Sequence, residues 1–373
     1  MMDFIATCKL GLESVVAMEL RMLGIQNVSA FDARVCFSGG YLEMARACLW
    51  LRSAERVLLV VGEFHAATFD ELFEGTKALG WKNYLCQSAM IHVNGKSAKS
   101  TLFSVSDCQS IVKKAIVENL KTAYRTNIIP ENGKKVIVEV GILKDTATLT
   151  LDCCGAGLSR RGYRTFNVAA PLSETLGAAI LLLSRYHADV PLIDPMCGSG
   201  TMPIEAAMIA KHMAPGLNRE FAAEEWPFVD AGVFAAAREQ ARDCVIDAKL
   251  DILGIDIDAH SVDLCKKHAK KAGIMVEWAV APVKQLHTDK PDGLLVCNPP
   301  YGERMLSRRE SDALYRDMHH TFDALPNWAV SIITSHTDFE KIYGKHADKR
   351  RKLSNGGIPC TLYQYFRERH EAD

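Results

Sequence analysis

The stretch from Pro191 to Thr334 constrains this chain more than any other. Short apolar runs at Pro191 to Asp194, Asp251 to Asp256, Met275 to Val280, Gly293 to Cys297 and Ala329 to Thr334 alternate with longer segments of helical period. Those segments include Ser173 to His187, Met202 to His212, Gly232 to Asp247, Ala259 to Ala272 and Asp312 to Ala324. Parallel strands need long crossovers, so this alternation predicts an α/β fold with a doubly wound sheet and helices on both faces. The pair Lys349 to Leu353 and Thr361 to Phe366 reads as an antiparallel hairpin closing that sheet. Ligands of such sheets bind beyond the carboxyl ends of the strands.

One strand end carries a glycine turn, Asp194-Pro195-Met196-Cys197-Gly198-Ser199-Gly200-Thr201. The two glycines permit a tight turn and bring backbone N–H groups close to a ligand. The third glycine of a dinucleotide fingerprint is missing, as is the GK[ST] ending of a triphosphate loop. An acid ahead of the glycines suits a ligand with a positive group, since Asp194 can sit near an amine or sulfonium. Asp256, ending the next strand, can accept both hydroxyls of a ribose. These features favour S-adenosylmethionine over a nicotinamide dinucleotide. Asp258 stands beside this set, and its position before Ala259 reads mainly as a helix cap.

A second strand end carries Asn298-Pro299-Pro300-Tyr301-Gly302. An exocyclic amine on a purine is a poor nucleophile because its lone pair is delocalised into the ring. The Asn298 side-chain oxygen and the Pro299 carbonyl can accept its two N–H bonds and free that lone pair. Two prolines fix the turn in advance, and Tyr301 can stack on an extruded base. Asn298, Pro299, Pro300 and Tyr301 are therefore the candidate catalytic residues. The tetrad alone serves adenine N6, guanine N2 or a glutamine amide equally.

The first half reads as α+β. Phe4 to Cys8, a helix from Leu12 to Leu23, strands at Val28 to Phe31 and Arg34 to Phe37, a helix at Tyr41 to Leu51 and a strand at Arg56 to Phe64 give a ferredoxin-like order over residues 1–64. Residues 65–155 offer a helix at Phe69 to Leu79, a strand at Ala89 to Asn94, a helix from Asp107 (as N-cap) to Tyr124 and a hairpin at Lys135 to Ile142 and Ala147 to Asp152. The glycine- and arginine-rich run over residues 156–169 reads as an exposed linker to a third domain at residues 170–373.

Beyond the turn and the tetrad, Arg161-Gly162-Tyr163-Arg164, Ala170-Pro171-Leu172-Ser173-Glu174-Thr175-Leu176 and Ala214-Pro215-Gly216-Leu217-Asn218-Arg219-Glu220-Phe221 resemble the THUMP-containing guanine-N2 RNA methyltransferases. The resemblance, which is closest to the bacterial enzymes for 23S rRNA and their single-function relatives, covers essentially the whole chain. It implies a Rossmann-like methyltransferase domain preceded by ferredoxin-like and THUMP domains that bind RNA. It also implies that the turn Asp194, Pro195, Cys197, Gly198, Ser199, Gly200 and Thr201, with Asp256, holds S-adenosylmethionine, and that Pro171 and Leu172 flank its methionine end. Asn298 to Tyr301 would then hold a guanine, in rRNA or in tRNA. One departure is visible: Ala281-Pro282-Val283 stands where such enzymes often place an acid for the adenine amino group, leaving a backbone contact or Asp289 to substitute. A non-catalytic RNA-binding assembly protein is the reading from another class, and it predicts a damaged turn or tetrad.

The formal net charge of the 373 residues is −1, so any RNA contact must be local. Three basic clusters qualify: Arg160, Arg161 and Arg164; Arg304, Arg308 and Arg309; and Lys349, Arg350, Arg351 and Lys352. The twelve cysteines form no CxxC pair and read as reduced, buried residues, with Cys153 and Cys154 on opposite faces of a strand. The histidines show no metal-ligand spacing. The N-terminus lacks a signal peptide and no apolar run is long enough for a membrane span, giving a cytosolic expectation. Oligomeric state is not legible.

Overall fold

Twelve residues of β4 (Ala54–His65) serve two neighbourhoods at once. The computed structural model describes residues 1–164, 172–300, 307–325 and 327–367. Its first sheet contains β1 (Met2–Cys8), β2 (Ser29–Phe31), β3 (Arg34–Gly39), β4, β5 (Met90–Ala98), β6 (Lys135–Leu143) and β7 (Thr146–Asp152) in the order β2-β3-β1-β4-β7-β6-β5. The β4 strand pairs with β1 on one side (Phe4↔Leu59) and with β7 on the other (Leu59↔Leu151 to His65↔Thr146). At about 3.3 Å per residue it is long enough to serve two partners. The expected units on either side of residue 64 therefore share one continuous sheet. Helices α1 (Glu13–Met22) and α2 (Tyr41–Trp50) pack on its first part, α3 (Phe69–Lys77) and α4 (Val105–Tyr124) on its second.

Two details differ from the sequence expectation. The β5 strand continues past Asn94 to Ala98, in parallel register with β6, because pairing rather than composition sets its end. The α4 helix begins at Val105, and Asp107 is not its N-cap but lies in the first turn, where a carboxylate is favoured by the helix dipole.

The second sheet contains β8 (Leu192–Asp194), β9 (Ile252–Asp256), β10 (Glu277–Val280), β11 (Gly293–Cys297), β12 (Trp328–Thr334), β13 (Lys349–Asn355) and β14 (Ile358–Tyr365) in the order β10-β9-β8-β11-β12-β14-β13. The first five strands are parallel, and β14 joins antiparallel to β12. Helices α5 (Glu174–Leu183), α6 (Thr201–Ala210), α7 (Gly232–Asp243), α8 (Ala259–Ala272), α9 (Arg308–Asp323) and α10 (Phe339–Tyr343) connect them. Strand order reverses between β8 and β11, which opens a crevice at their carboxyl ends.

The two halves are bonded together. Gly216 donates its N–H to the Leu49 carbonyl (2.9 Å), Arg52 reaches the Met213 carbonyl (2.7 Å) and Arg351 the Gly11 carbonyl (2.7 Å). The described part of the run expected as an exposed linker, residues 156–164, is not uniformly exposed: Leu158, Arg161 and Tyr163 are buried while Ala156, Arg160 and Gly162 are exposed, and Arg219 donates to the carbonyls of Cys154, Ala156, Gly157 and Arg160. Cys153 and Cys154 follow the end of β7, so strand alternation does not apply to them. Both are buried, with thiols pushed up by burial and lying against Cys48.

Candidate active site

The β8 strand delivers Asp194 to the crevice with 1% of its surface exposed. Its carboxylate accepts the Met196 N–H (3.2 Å). Among the described residues no cationic side chain pairs with it. Burial first, and the nearby Asp256 second, hold its pKa well above the usual carboxylate range. A buried acid without a counter-charge fits a cationic ligand.

The turn after it is held from several sides. Cys197 N–H bonds the Ile255 carbonyl (2.8 Å) and Gly200 N–H the Cys197 carbonyl (2.8 Å), while Gly198 N–H bonds Asp256 Oδ2 (2.8 Å). The two glycines do different work. A side chain on Gly200 (φ +82°) would stand 2.9 Å from Trp278 and 3.0 Å from Cys265, whereas Gly198 (φ +53°) has nothing within 4 Å of that position. Gly200 is there for packing; Gly198 leaves an open face for a ligand. Cys197 Sγ packs 3.8 Å from Cys265 Sγ, so Cys197 shapes the turn rather than offering its thiol. The Ser199 carbonyl lies 3.1 Å from His268 Nδ1. Pro195 and Leu172 are buried, and Pro171 lies outside the described residues.

Asp256 and Asp258, two residues apart, divide their roles. Asp258 caps α8, accepting the N–H groups of His260 (3.1 Å) and Ser261 (3.0 Å). Asp256 binds the turn and the Asp258 N–H (2.9 Å). Between them Ile257 is 72% exposed, and Val280, level with Asp256 across the sheet, is 54% exposed. Sequence reading passed over this apolar pair, although an isoleucine between two acids was the available signal. Asp289 is exposed and makes no ion pair among the described residues.

On the other side of the crevice β11 is buried throughout. Its pairing with β8 (Leu295↔Ile193) puts Val296 level with Asp194, and Asn298 two residues beyond. The Asn298 Oδ1 atom is sealed from solvent and accepts no hydrogen bond among the described residues. An amide oxygen left bare in this way is costly and fits a ligand N–H. Pro299 is buried and Pro300 half-buried; Tyr301 and Arg304 lie outside the described residues.

The basic clusters separate sharply. Arg161 is 4% exposed, its Nε 3.3 Å from Glu205 and its Nη2 on the Arg52 carbonyl. Arg164 donates to the Leu172 carbonyl (3.0 Å) and to Thr201 Oγ1. Neither can serve as a surface phosphate ligand, which corrects the sequence expectation: their partners stand outside their own segment and were not visible in it. Arg308 pairs with Asp338 (2.8 Å), Arg350 with Glu340 (2.9 Å), and Arg351 is spent on the first half of the chain. Arg160, Arg309, Lys349 and Lys352 are exposed and make no ion pair among the described residues. No group of three metal-ligating side chains, and no helix long and apolar enough to cross a membrane, occurs among them.

Comparison with known proteins bears on this geometry. A family profile described as the RMKL-like methyltransferase domain matches residues 161–364, one described as the RlmL ferredoxin-like domain matches 3–58, and a THUMP domain profile matches 66–152. The chain belongs to the RMKL-like methyltransferase family. Its relatives include YpsC of Bacillus subtilis (strain 168), provisionally named an RNA methyltransferase, which is 43% identical over 97% of this chain and 95% of its own. Ribosomal RNA large subunit methyltransferase K/L of Vibrio cholerae is 33% identical over 98% of this methyltransferase. The chain spans about half the length of that relative (53%). SMU.472, provisionally named a methyltransferase and solved complexed with SAH, superposes with a TM-score of 0.94 at 43% identity over 99% of each chain.

Proposed function

We propose that this methyltransferase transfers a methyl group from S-adenosylmethionine to the exocyclic N2 of a guanosine in RNA, with large-subunit rRNA as the target. The observation that carries the reading is the sealed Asn298 Oδ1, without a partner among the described residues, across the crevice from Asp194, which has no counter-charge among them. When bound, the donor supplies an electrophilic methyl on a sulfonium. The donor set fits it: Asp194 for positive charge, Asp256 for ribose hydroxyls, the open face at Gly198 for close approach, and Ile257 with Val280 for the flat faces of adenine.

The chain's own part in the reaction is positioning and polarisation. Asn298 Oδ1 and the Pro299 carbonyl accept the two N–H bonds of the amine, which concentrates its lone pair on nitrogen. The turn is rigid before substrate arrives, so little is spent on reorganisation. Attack makes the nitrogen cationic, and a proton then leaves it without need of a strong base.

Support for RNA comes from the THUMP match and from the names of the relatives; support for guanine N2 comes from the whole-chain resemblance, since two acceptors serve adenine N6 equally. The non-catalytic alternative is disfavoured by an undamaged turn and Asn298. Labelled S-adenosylmethionine, unmodified rRNA or tRNA, and wild type against Asn298→Ala give the test, with nucleoside mass spectrometry of the product. Label in N2-methylguanosine from rRNA, lost in the variant, is expected. Wild type that binds RNA and transfers nothing overturns the enzyme reading, and label confined to tRNA overturns the target. With many arginines already paired, RNA affinity should fall only gently with salt; a steep slope would mean many more phosphate contacts.

A further inference from the structure

The Arg161 to Arg164 run has no place in the function described so far, yet it reaches the donor turn. We infer that Arg164 is a positioning residue for the methyl donor. Its guanidinium holds together Leu172, ahead of α5, and Thr201, the first residue of α6. The inference rests on the reading of the site given above.

The geometry is direct. Arg164 Nη2 donates to the Leu172 carbonyl (3.0 Å) and to Thr201 Oγ1, and Arg164 Nε lies 3.6 Å from Glu174 Oε1 at the head of α5. Thr201 Oγ1 is itself 3.4 Å from the Leu172 carbonyl. The two helices are already in close contact there, since a side chain on Gly177 would meet Thr201 Cγ2 at 3.0 Å. Thr201 follows Gly200 directly, so a shift of the fork moves the glycine turn with it. Two acceptors on separate segments, with the Glu174 carboxylate 3.6 Å from Nε, suit a planar, permanently charged group with several donors, which lysine does not supply.

What keeps Arg164 in place is the next turn of α6. Glu205, four residues after Thr201 and so on the same face, lies 3.3 Å from Arg161 Nε and accepts the Tyr163 hydroxyl (3.1 Å). Arg161 also donates to the carbonyls of Leu158 (2.7 Å) and Arg52. Residues 161 and 163 are thus anchored on α6 and on the first half of the chain. Arg164 extends from that anchor toward the turn and touches neither reacting atom.

The test uses the full chain as wild type, Arg164→Lys and Arg164→Met. Calorimetry with S-adenosylhomocysteine gives donor-site affinity, melting without ligand gives stability, and steady-state kinetics separate KM for donor, KM for RNA and kcat. Charged hydrogen bonds of this kind are worth about tenfold or more in affinity. We expect at least that loss in Arg164→Met, partial recovery in Arg164→Lys, and KM for RNA and kcat at saturating donor within about twofold of wild type. Affinity within about twofold of wild type in both variants, with only the melting point lowered, overturns the inference. Should Arg164→Met not fold, Arg164→Lys and Arg164→Gln carry the same comparison. Wild type that fails to bind S-adenosylhomocysteine overturns the donor reading itself, an outcome distinct from equal binding by all variants.

Discussion

Two sets of buried polar groups in the methyltransferase domain are treated oppositely. Around Glu205, charges face opposite charges: Arg161 at 3.3 Å, and Arg164 against Glu174 at 3.6 Å. In the crevice beyond Thr201, among the described residues, Asp194 faces no cation and Asn298 Oδ1 no donor. Burial is comparable, so burial alone does not mark a functional group. Single atoms without a hydrogen bond occur in both sets among the described residues, Glu205 Oε2 and Arg164 Nε as well as Asn298 Oδ1; what sets the crevice apart is a whole buried carboxylate, Asp194, with no counter-charge beside it there. The paired set holds two halves of the chain together; the unpaired set waits for a ligand to complete it.

The sharpest way to break this contrast is to remove one partner from the paired set. Glu205→Ala leaves the Arg161 charge buried and alone, and stripping such a pair costs about 3–5 kcal/mol. Urea unfolding should register that loss in full, while Glu205→Gln, which keeps an acceptor, loses less. The same operation in the crevice should do the reverse. Asn298→Ala removes an acceptor that had no donor, so unfolding free energy stays near wild type while kcat falls by about 10²–10³, the usual effect of losing one preorganised polar contact. A stability loss in Asn298→Ala as large as in Glu205→Ala would erase the distinction.

The next effect is smaller and depends on pH. Burial raises the Asp194 pKa in the donor-free protein, so its proton is held to higher pH than on an ordinary carboxylate. The stability this group contributes is complete below the ordinary carboxylate range and is lost as pH rises through the raised value. A cation entering the site reverses that preference and expels the proton. Donor binding should therefore release protons and tighten as pH rises over the same interval, read by calorimetry in buffers of different ionisation enthalpy. Asp194→Asn should bind about tenfold or more weakly, with no proton release, and should flatten the pH dependence. Equal proton release by wild type and variant would place the titrating group elsewhere.

How much of this was legible follows from where each constraint resides. The glycine turn could be read because its demand is local: Gly198 and Gly200 both take positive φ, a backbone requirement visible in the residue type. The alternation from Pro191 to Thr334 gave the doubly wound sheet for the same reason, since period is a property of neighbouring residues. Arg161 and Arg164 were misread because their environment is set by Glu205 and Thr201, 44 and 37 residues on, and arginine beside glycine looks like surface when its partner is unseen. The continuity of the first sheet through β4 was hidden likewise, because strand sharing is decided by Leu151 and its neighbours. Clusters of like charge are the least legible feature: Lys349 to Lys352 is one run in sequence, yet alternation sends Arg350 to Glu340 and Arg351 to Gly11.

The smallest predicted effect separates two acids that stand two residues apart. Both Asp256 and Asp258 lie at the crevice rim, and either could be assigned to the donor from sequence. Asp258 spends its two oxygens on the first turn of α8, and the Ser261 hydroxyl, with the His260 and Ser261 N–H groups, holds its carboxyl below the usual range. A depressed pKa contributes stability above the ordinary carboxylate range, and that contribution disappears as pH falls through the lowered value. Asp258→Ala should accordingly lower the melting point slightly at neutral pH, with the difference from wild type closing in acid, and leave affinity for S-adenosylhomocysteine unchanged. Asp256→Ala should do the opposite, weakening that affinity because it loses both its reach toward ligand hydroxyls and its bond to Gly198 N–H. If Asp258→Ala weakens binding as much as Asp256→Ala, the cap is also a ligand, and the line between paired and unpaired groups must be drawn one residue further out.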